Sequence, residues 1–278
     1  MIGGVRVGFS LPAVVVSRLV GGGVLATLKH RVAAAAQTLA GLLYPPACAV
    51  CAADVAPEAG LCAACADLAP RLEPPFCAVC SQPFPAASAA LGLHAACANC
   101  RDRDFAFDCA VSARRHDGPV RDLIVRFKYR GEQHLRRPLS AWLAEALLDP
   151  RLTRLPADAL VPVPLHPRRL RERGYNQAEE CARALGRRVG LPVWPVLRRA
   201  RYTGTQTLLS REERARNLTG AFALADGWTA RRERRSLEGA DVLVVDDVFT
   251  SGATVDACAR VLLAGGAASV RVLTVARR

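Results

Sequence analysis

The chain has 278 residues, enough for two domains or one large one, and 51% of them are apolar, so a normal core can form. Eight of its eleven cysteines fall in C-x-x-C pairs, which points to metal ligation in a reducing setting and away from a disulfide framework. The net charge is +13; residues 105–278 carry +12 of it and residues 1–104 only +1, a field that suits nucleic acid or a phosphate-rich small molecule, although an Arg-rich solvated surface accounts for the same charge more plainly.

Residues 11–28 are mostly apolar, but Arg18 and Gly21 to Gly23 interrupt them, so no clean run of about 20 apolar residues spans a membrane. A signal peptide would export a thiol-rich protein, and a loosely ordered extension or an early start fits better. Residues 31–44 read as a short amphipathic helix ended by Pro45 and Pro46. Residues 1–46 are therefore expected to be an extension carrying that helix.

The cysteine region follows, at 47–104. It is proline-rich, shows no long helical or strand period, and needs a staple to fold. Its pairs are Cys48 and Cys51, Cys62 and Cys65, Cys77 and Cys80, and Cys97 and Cys100, with ten, eleven and sixteen residues between successive pairs. Each C-x-x-C puts two thiolates on one knuckle turn, and two knuckles make a tetrahedral four-sulfur site. Four knuckles predict two zinc ions; an iron–sulfur cluster or disulfides are the alternatives. Sequential pairing is simplest, and the spacing also leaves open a cross-braced arrangement of first pair with third. With four thiolates per ion no coordination position stays open for catalysis, so the ions are expected to be structural. His94 near the last knuckle reads as a surface histidine, and Cys109, Cys181 and Cys258 as core residues.

From Phe105 the pattern becomes strands alternating with helices, and residues 105–278 form the third expected unit. A strand is predicted over 107–115, a helix over 118–130, a helix over 138–148, a strand over 159–163 and a helix over 175–189. Residues 211–219 read as a short charged helix or loop and 226–240 as a polar connection. The last three elements are the clearest: a strand at 241–248, a helix at 252–264 and a strand at 269–275. Alternation of this kind predicts an α/β fold with a parallel sheet flanked by helices.

The stretch from Val242 to Thr254 carries the chemistry. Four apolar residues make a buried parallel strand, and Asp246 and Asp247 stand at its carboxyl end, where open α/β sheets bind ligands. The loop Thr250, Ser251, Gly252, Ala253, Thr254 then opens a helix, whose free N–H groups and neighbouring hydroxyls suit a phosphate dianion. Two acids beside a phosphate loop would repel a bare phosphate; they suit a sugar whose vicinal hydroxyls they accept from, so the site fits a ribose 5-phosphate. A plain strand-to-helix turn with one capping hydroxyl would not need both acids. Both carboxylates are expected at the open sheet edge with no buried partner.

This stretch resembles the phosphoribosyl-pyrophosphate (PRPP) signature of type I phosphoribosyltransferases. Together with VPVPLHPRRLRERGYNQAEE (161–180), RYTGTQTLLSREERARN (201–217), FKYRGE (127–132) and the knuckles after LLYPPACAVC, it is similar to the ComF family of competence-associated proteins over roughly residues 40–278. The resemblance implies a type I phosphoribosyltransferase-like domain behind a double zinc ribbon. It implies that Asp246 and Asp247 bind the ribose hydroxyls and that Thr250 to Thr254 hold the 5-phosphate. It further implies that Pro164, Leu165, His166 and Arg168 meet the pyrophosphate, that 201–211, beginning at Arg201, covers the site as a flap, and that Mg²⁺ comes with PRPP. Lys128 and Arg130 are close enough in the pattern to reach phosphates, and Arg130 reads equally well as a solvated residue.

Three functions follow. The first is a PRPP-binding protein acting with DNA in natural competence or DNA uptake. The others are an active phosphoribosyltransferase of unknown acceptor in nucleotide metabolism and a PRPP-sensing regulator. No base-binding hood is legible, and no glutaminase domain precedes the site as in the similar purine-pathway amidotransferase. Tyr129, Tyr175, Trp194 and Tyr202 lie near Arg-rich runs, a pattern that suits single-stranded DNA. Competence-machinery proteins are the implied partners, in the cytoplasm, with membrane association only through them.

Overall fold

In the computed structural model, residues 46–56, 59–85, 96–201, 218, 220–226 and 237–278 are described. The helix read over 31–44, the segment 11–28, His94 and most of 201–217 and 226–240 lie outside them.

Four strands form one sheet, all parallel: β1 (Ala110–Arg115), β2 (Ala159–Pro162), β5 (Asp241–Phe249) and β6 (Ser269–Arg277), in the spatial order β1-β6-β5-β2. The two central strands read as near-continuous apolar runs because parallel strands are covered on both faces. Side chains alternate between those faces. Val111, Leu160, Leu243, Val245, Leu273 and Val275 join one core, while Ala110, Val161, Val242, Val244, Val270 and Val272 join the other.

The first core is covered by α2 (Gly118–Tyr129), α3 (Arg136–Ala146) and α6 (Gln177–Val189). In α6, Ala178, Cys181, Ala182 and Leu185 recur at helical spacing and are buried. Asn176 caps its first turn, accepting from Ala178 N at 3.1 Å. The second core is covered by α7 (Ala253–Ala264) and a two-stranded antiparallel ribbon, β3 (Leu197–Arg199) with β4 (Phe222–Leu224). The residues from Pro46 onward make one compact unit.

The clear predictions match closely, and the differences have local causes. The strand read over 107–115 starts at Ala110. The helix read from Pro138 begins two residues earlier, at Arg136, behind a 3-10 turn (Gln133–Leu135). Two short helices had no periodic signal: α4 (Pro150–Thr153), capped by Asp149, and α5 (Pro167–Arg173), capped by His166. Neither is long enough to show a repeat. The strands β3 and β4 escaped for the same reason, at three residues each. A helix of five residues, α1 (Ala63–Asp67), lies in the cysteine region.

Candidate phosphate site and two cysteine clusters

The cysteines form two clusters. Sulfurs of Cys48, Cys51, Cys62 and Cys65 lie within 4.8 Å of one another, and so do those of Cys77, Cys80, Cys97 and Cys100. This resolves the pairing as sequential. A tetrahedral zinc with bonds near 2.3 Å places sulfurs roughly 3.8 Å apart. Cys51 and Cys62 stand 3.6 Å apart, as do Cys80 and Cys97, so the donor sets fit zinc. Knuckle amides support the sulfurs: Val50 N donates to Cys48 Sγ at 3.5 Å, and Cys97 N to Cys77 Sγ at 3.3 Å. The thiols of the second cluster share hydrogen bonds, which lower the Cys77 pKa and raise that of Cys100. Cys109, Cys181 and Cys258 are buried outside the clusters, and burial raises the pKa of all three thiols.

The phosphate candidate sits at the carboxyl ends of β5 and β2. These strands pair directly, and Val163 N donates to Val245 O at 3.0 Å, so the turn from Pro164 lies beside the two acids. Asn176 Nδ2 donates to Val163 O at 3.0 Å and ties that turn to the start of α6. After β5 the chain passes Thr250, which is exposed, and Ser251, which is buried. Gly252 takes φ +83°, a conformation L side chains rarely adopt, and α7 begins at Ala253 with no side chain capping it. The first amides of such a helix lack intrahelical partners and point at whatever lies before it.

The two acids differ. Asp247 is only 7% exposed and is held from both sides: Lys128 Nζ donates to it at 2.7 Å and Gln177 Nε2 at 3.1 Å. The expectation of two carboxylates without buried partners therefore fails for Asp247. The cause is tertiary, because the last turn of α2 and the first turn of α6 close over the end of β5. Lys128, expected to reach a phosphate, is engaged with this carboxylate. Asp246 is half-buried and accepts from Asp247 N at 2.9 Å. Burial, then the adjacent Asp247 charge, push its pKa up to about 7, against the pull of Lys128 and Arg199.

Around this pair, Leu165 and His166 are half-buried, and His166 Nδ1 accepts from Arg168 N at 3.2 Å. Arg168 is exposed and bonds Glu172 at 3.1 Å. Arg201 is exposed after β3, and the flap that follows it lies outside the described residues. Two nearby residues carried no sequence signal of a role: Gln177, hidden inside a helical repeat, and Arg199, which stacks over Phe222 at 5.3 Å.

The aromatics separate as well. Tyr175 is buried, packs its ring at a tilt against Phe127 with centroids 5.4 Å apart and donates its hydroxyl to Phe127 O, so it is a core residue and no stacking platform. Trp194 packs partly against the second core. Tyr129 is 69% exposed with the Arg173 guanidinium 5.2 Å above its ring. It stands beside α5, where Arg168, Arg169, Arg171 and Arg173 surround a helix with no buried residue. Glu172 neutralises part of that charge by pairing with Arg168 and Arg169. Among the described residues, no helix is long and apolar enough to cross a membrane.

Comparison with known proteins adds identity to geometry. Residues 39–102 match a double zinc ribbon domain and residues 171–278 a phosphoribosyl transferase domain. The chain is similar to Competence protein F of Haemophilus influenzae, 34% identical over 65% of this chain and 78% of that protein. It is similar to DNA utilization protein YhgH of Salmonella typhi, 32% identical over 83% of this chain and 89% of that protein. Competence protein ComFC of Bacillus subtilis is 28% identical over 66% of this chain and 73% of its own length.

Proposed function

From the premise that this chain belongs to the ComF family, a double zinc ribbon joined to a phosphoribosyltransferase domain, we propose that it binds PRPP with Mg²⁺ and handles single-stranded DNA. The observation that carries the first half is the end of β5. Two adjacent carboxylates are followed, three residues on, by a loop whose glycine has positive φ and whose helix start is uncapped. Asp246 and Asp247 accept from the ribose hydroxyls, and residues 250–254 hold the 5-phosphate through main-chain amides. Pro164 to Arg168 lie on the neighbouring strand exit, where the pyrophosphate reaches. Mg²⁺ arriving with PRPP would supply charge neutralisation for the pyrophosphate near Asp246 and Asp247. Lys128 and Gln177 hold the Asp247 carboxylate in place before the ligand arrives.

The second half is supported by Tyr129, α5 and the names of the relatives. An exposed aromatic beside four arginines offers a base a stacking face and the backbone a positive track. Calorimetric titration of the zinc-loaded chain with PRPP and Mg²⁺ tests the ligand. If the Asp246→Asn, Asp247→Asn variant, confirmed as folded, binds as the parent does, the site is wrong. For DNA, Tyr129→Ala should weaken single-strand binding by roughly 1–3 kcal/mol. Affinity should also fall steeply with salt. Salt-independent binding would overturn the electrostatic reading.

A further inference from the structure

The chain leaving the last knuckle packs, through residues 103–107, against the phosphate loop, the first half of α7 and the end of β5. Arg103 Nη1 donates to Ser251 O at 3.2 Å. The Phe105 ring lies against Gly252: a β-carbon there would meet Phe105 at 3.1 Å and Phe249 at 2.9 Å. Ala106 N donates to Asp256 Oδ1 in the first turn of α7 at 2.7 Å. From α7, Arg260 Nη2 returns a bond to Asp104 O at 2.9 Å. Phe105 stacks on Phe107 at 4.7 Å, and Phe107 meets the edge of Phe249, the last residue of β5, at 6.1 Å. A second connection starts inside the cluster. Arg277 donates from Nε to Cys80 O at 3.0 Å and from Nη1 to Phe249 O at 3.2 Å, with its guanidinium 5.0 Å over the Phe249 ring.

We propose that the second cysteine cluster, through Arg103, Phe105 and Arg277, positions the phosphate loop, so that metal occupancy at Cys77, Cys80, Cys97 and Cys100 and phosphate binding at 250–254 are thermodynamically coupled. The first cluster has no such connection among the described residues: its ties run to α2, α3 and β1. The residues named are positioning residues, since they act on the loop through its main chain and packing. The inference rests on the reading of 250–254 as a phosphate site.

Because coupling is reciprocal, it acts in both directions. Removing the Arg103 bond should loosen the loop and weaken PRPP, and PRPP should in turn retain the second metal. Coupling of this kind is typically on the order of 5- to 150-fold. The experiment uses the full chain with both zincs. Zinc release to a chromogenic chelator is followed with and without PRPP and Mg²⁺, and PRPP affinity is measured by calorimetry for the parent, Arg103→Ala, Arg103→Lys and Phe105→Ala. The expected result is that PRPP slows release of one zinc about tenfold and leaves the other unchanged. Arg103→Ala and Phe105→Ala should bind PRPP about tenfold more weakly with both zincs still present, and Arg103→Lys should recover part of the loss. Hydrogen exchange at residues 250–255 in the ligand-free chain should rise in Arg103→Ala.

Two failures are distinguishable. A parent chain that binds no PRPP overturns the phosphate reading and this coupling to it. A parent that binds PRPP while both variants bind equally well, with both zincs released at unchanged rates, overturns the coupling alone.

Discussion

The two cysteine quartets repeat one motif, yet they serve opposite faces of the sheet. Cys48 and Cys65 pack into the core under α2, α3 and α6, while Cys51 is exposed and Cys62 half-buried. All four sulfurs of the second quartet are buried in the other core, beside α7 and the end of β5. The first module is held from outside. Arg126 reaches Ala49 O, and Arg115 N donates to Pro70 O at 2.9 Å. The second is sewn into the sheet edge by Ala110 N to Val79 O at 2.7 Å and Ser81 Oγ to Ala110 O at 2.8 Å. Arg151, gripped by Asp149, adds a bond to Ala78 O at 2.9 Å. Burial of the ligands thus tells apart a module that decorates a domain from one that completes it.

The strongest way to break this contrast is to remove a ligand from each site. Cys80→Ser should lose one zinc and destabilise the chain by more than about 4 kcal/mol or prevent folding, because the metal's binding energy is folding energy for that core. Cys51→Ser should also lose one zinc but cost only about 1–3 kcal/mol. Metal analysis with thermal melts checks both, and equal losses would erase the distinction.

Next come the arginines. Arg277→Met takes the side-chain donor from the buried Cys80 carbonyl and one of two donors from the Phe249 carbonyl, which keeps Arg278 N, and should cost about 2–4 kcal/mol in a denaturant melt. Arg126→Met removes a half-buried pair with Glu132 and should cost about 1 kcal/mol. The reverse order would mean that the first module is the better anchored.

Glycines sharpen the link to the ligand. Gly60 and Gly252 both have positive φ, and a β-carbon at Gly60 would meet Pro138 at 2.7 Å. Alanine at either position should cost about 1–3 kcal/mol. Only Gly252→Ala should also weaken PRPP in calorimetry, because its strain falls on the phosphate loop.

The smallest effect is in pH. Asp246 has a raised pKa, so the stability tied to its protonated form is complete below the ordinary carboxyl range and is lost as pH rises to about 7. Asp246→Asn should flatten that limb of a stability–pH curve. Asp149 behaves oppositely. Burial works against its charge, but the hydrogen bonds and charge of Arg151 win and hold its pKa low. Its contribution is present above the ordinary range and lost on acidification, so Asp149→Asn should flatten the acid limb, which reports docking of the second module.

The sequence by itself determined what depends on short stretches of chain. The knuckle spacing specified eight ligands, and the run before Asp246 specified a strand buried on both faces. The loop of small residues after it specified a helix start suited to phosphate. Each signal is local, since a two-residue gap or an apolar run constrains its own neighbours directly. Tertiary structure decided the rest. It chose sequential pairing over cross-bracing, because sulfur contacts depend on how distant knuckles close together. It gave Asp247 two partners from helices that begin 129 and 70 residues earlier in the chain. It buried Tyr175 and left Tyr129 in solvent, although both stand in the same Arg-rich surroundings. It also set residues 103–106 against a loop and helix start some 150 residues away, where the partners are a carbonyl, an absent β-carbon and a carboxylate in the helix's first turn. Such contacts leave no periodicity or motif to read, because what matters in them is shape and an unsatisfied main-chain group rather than residue type.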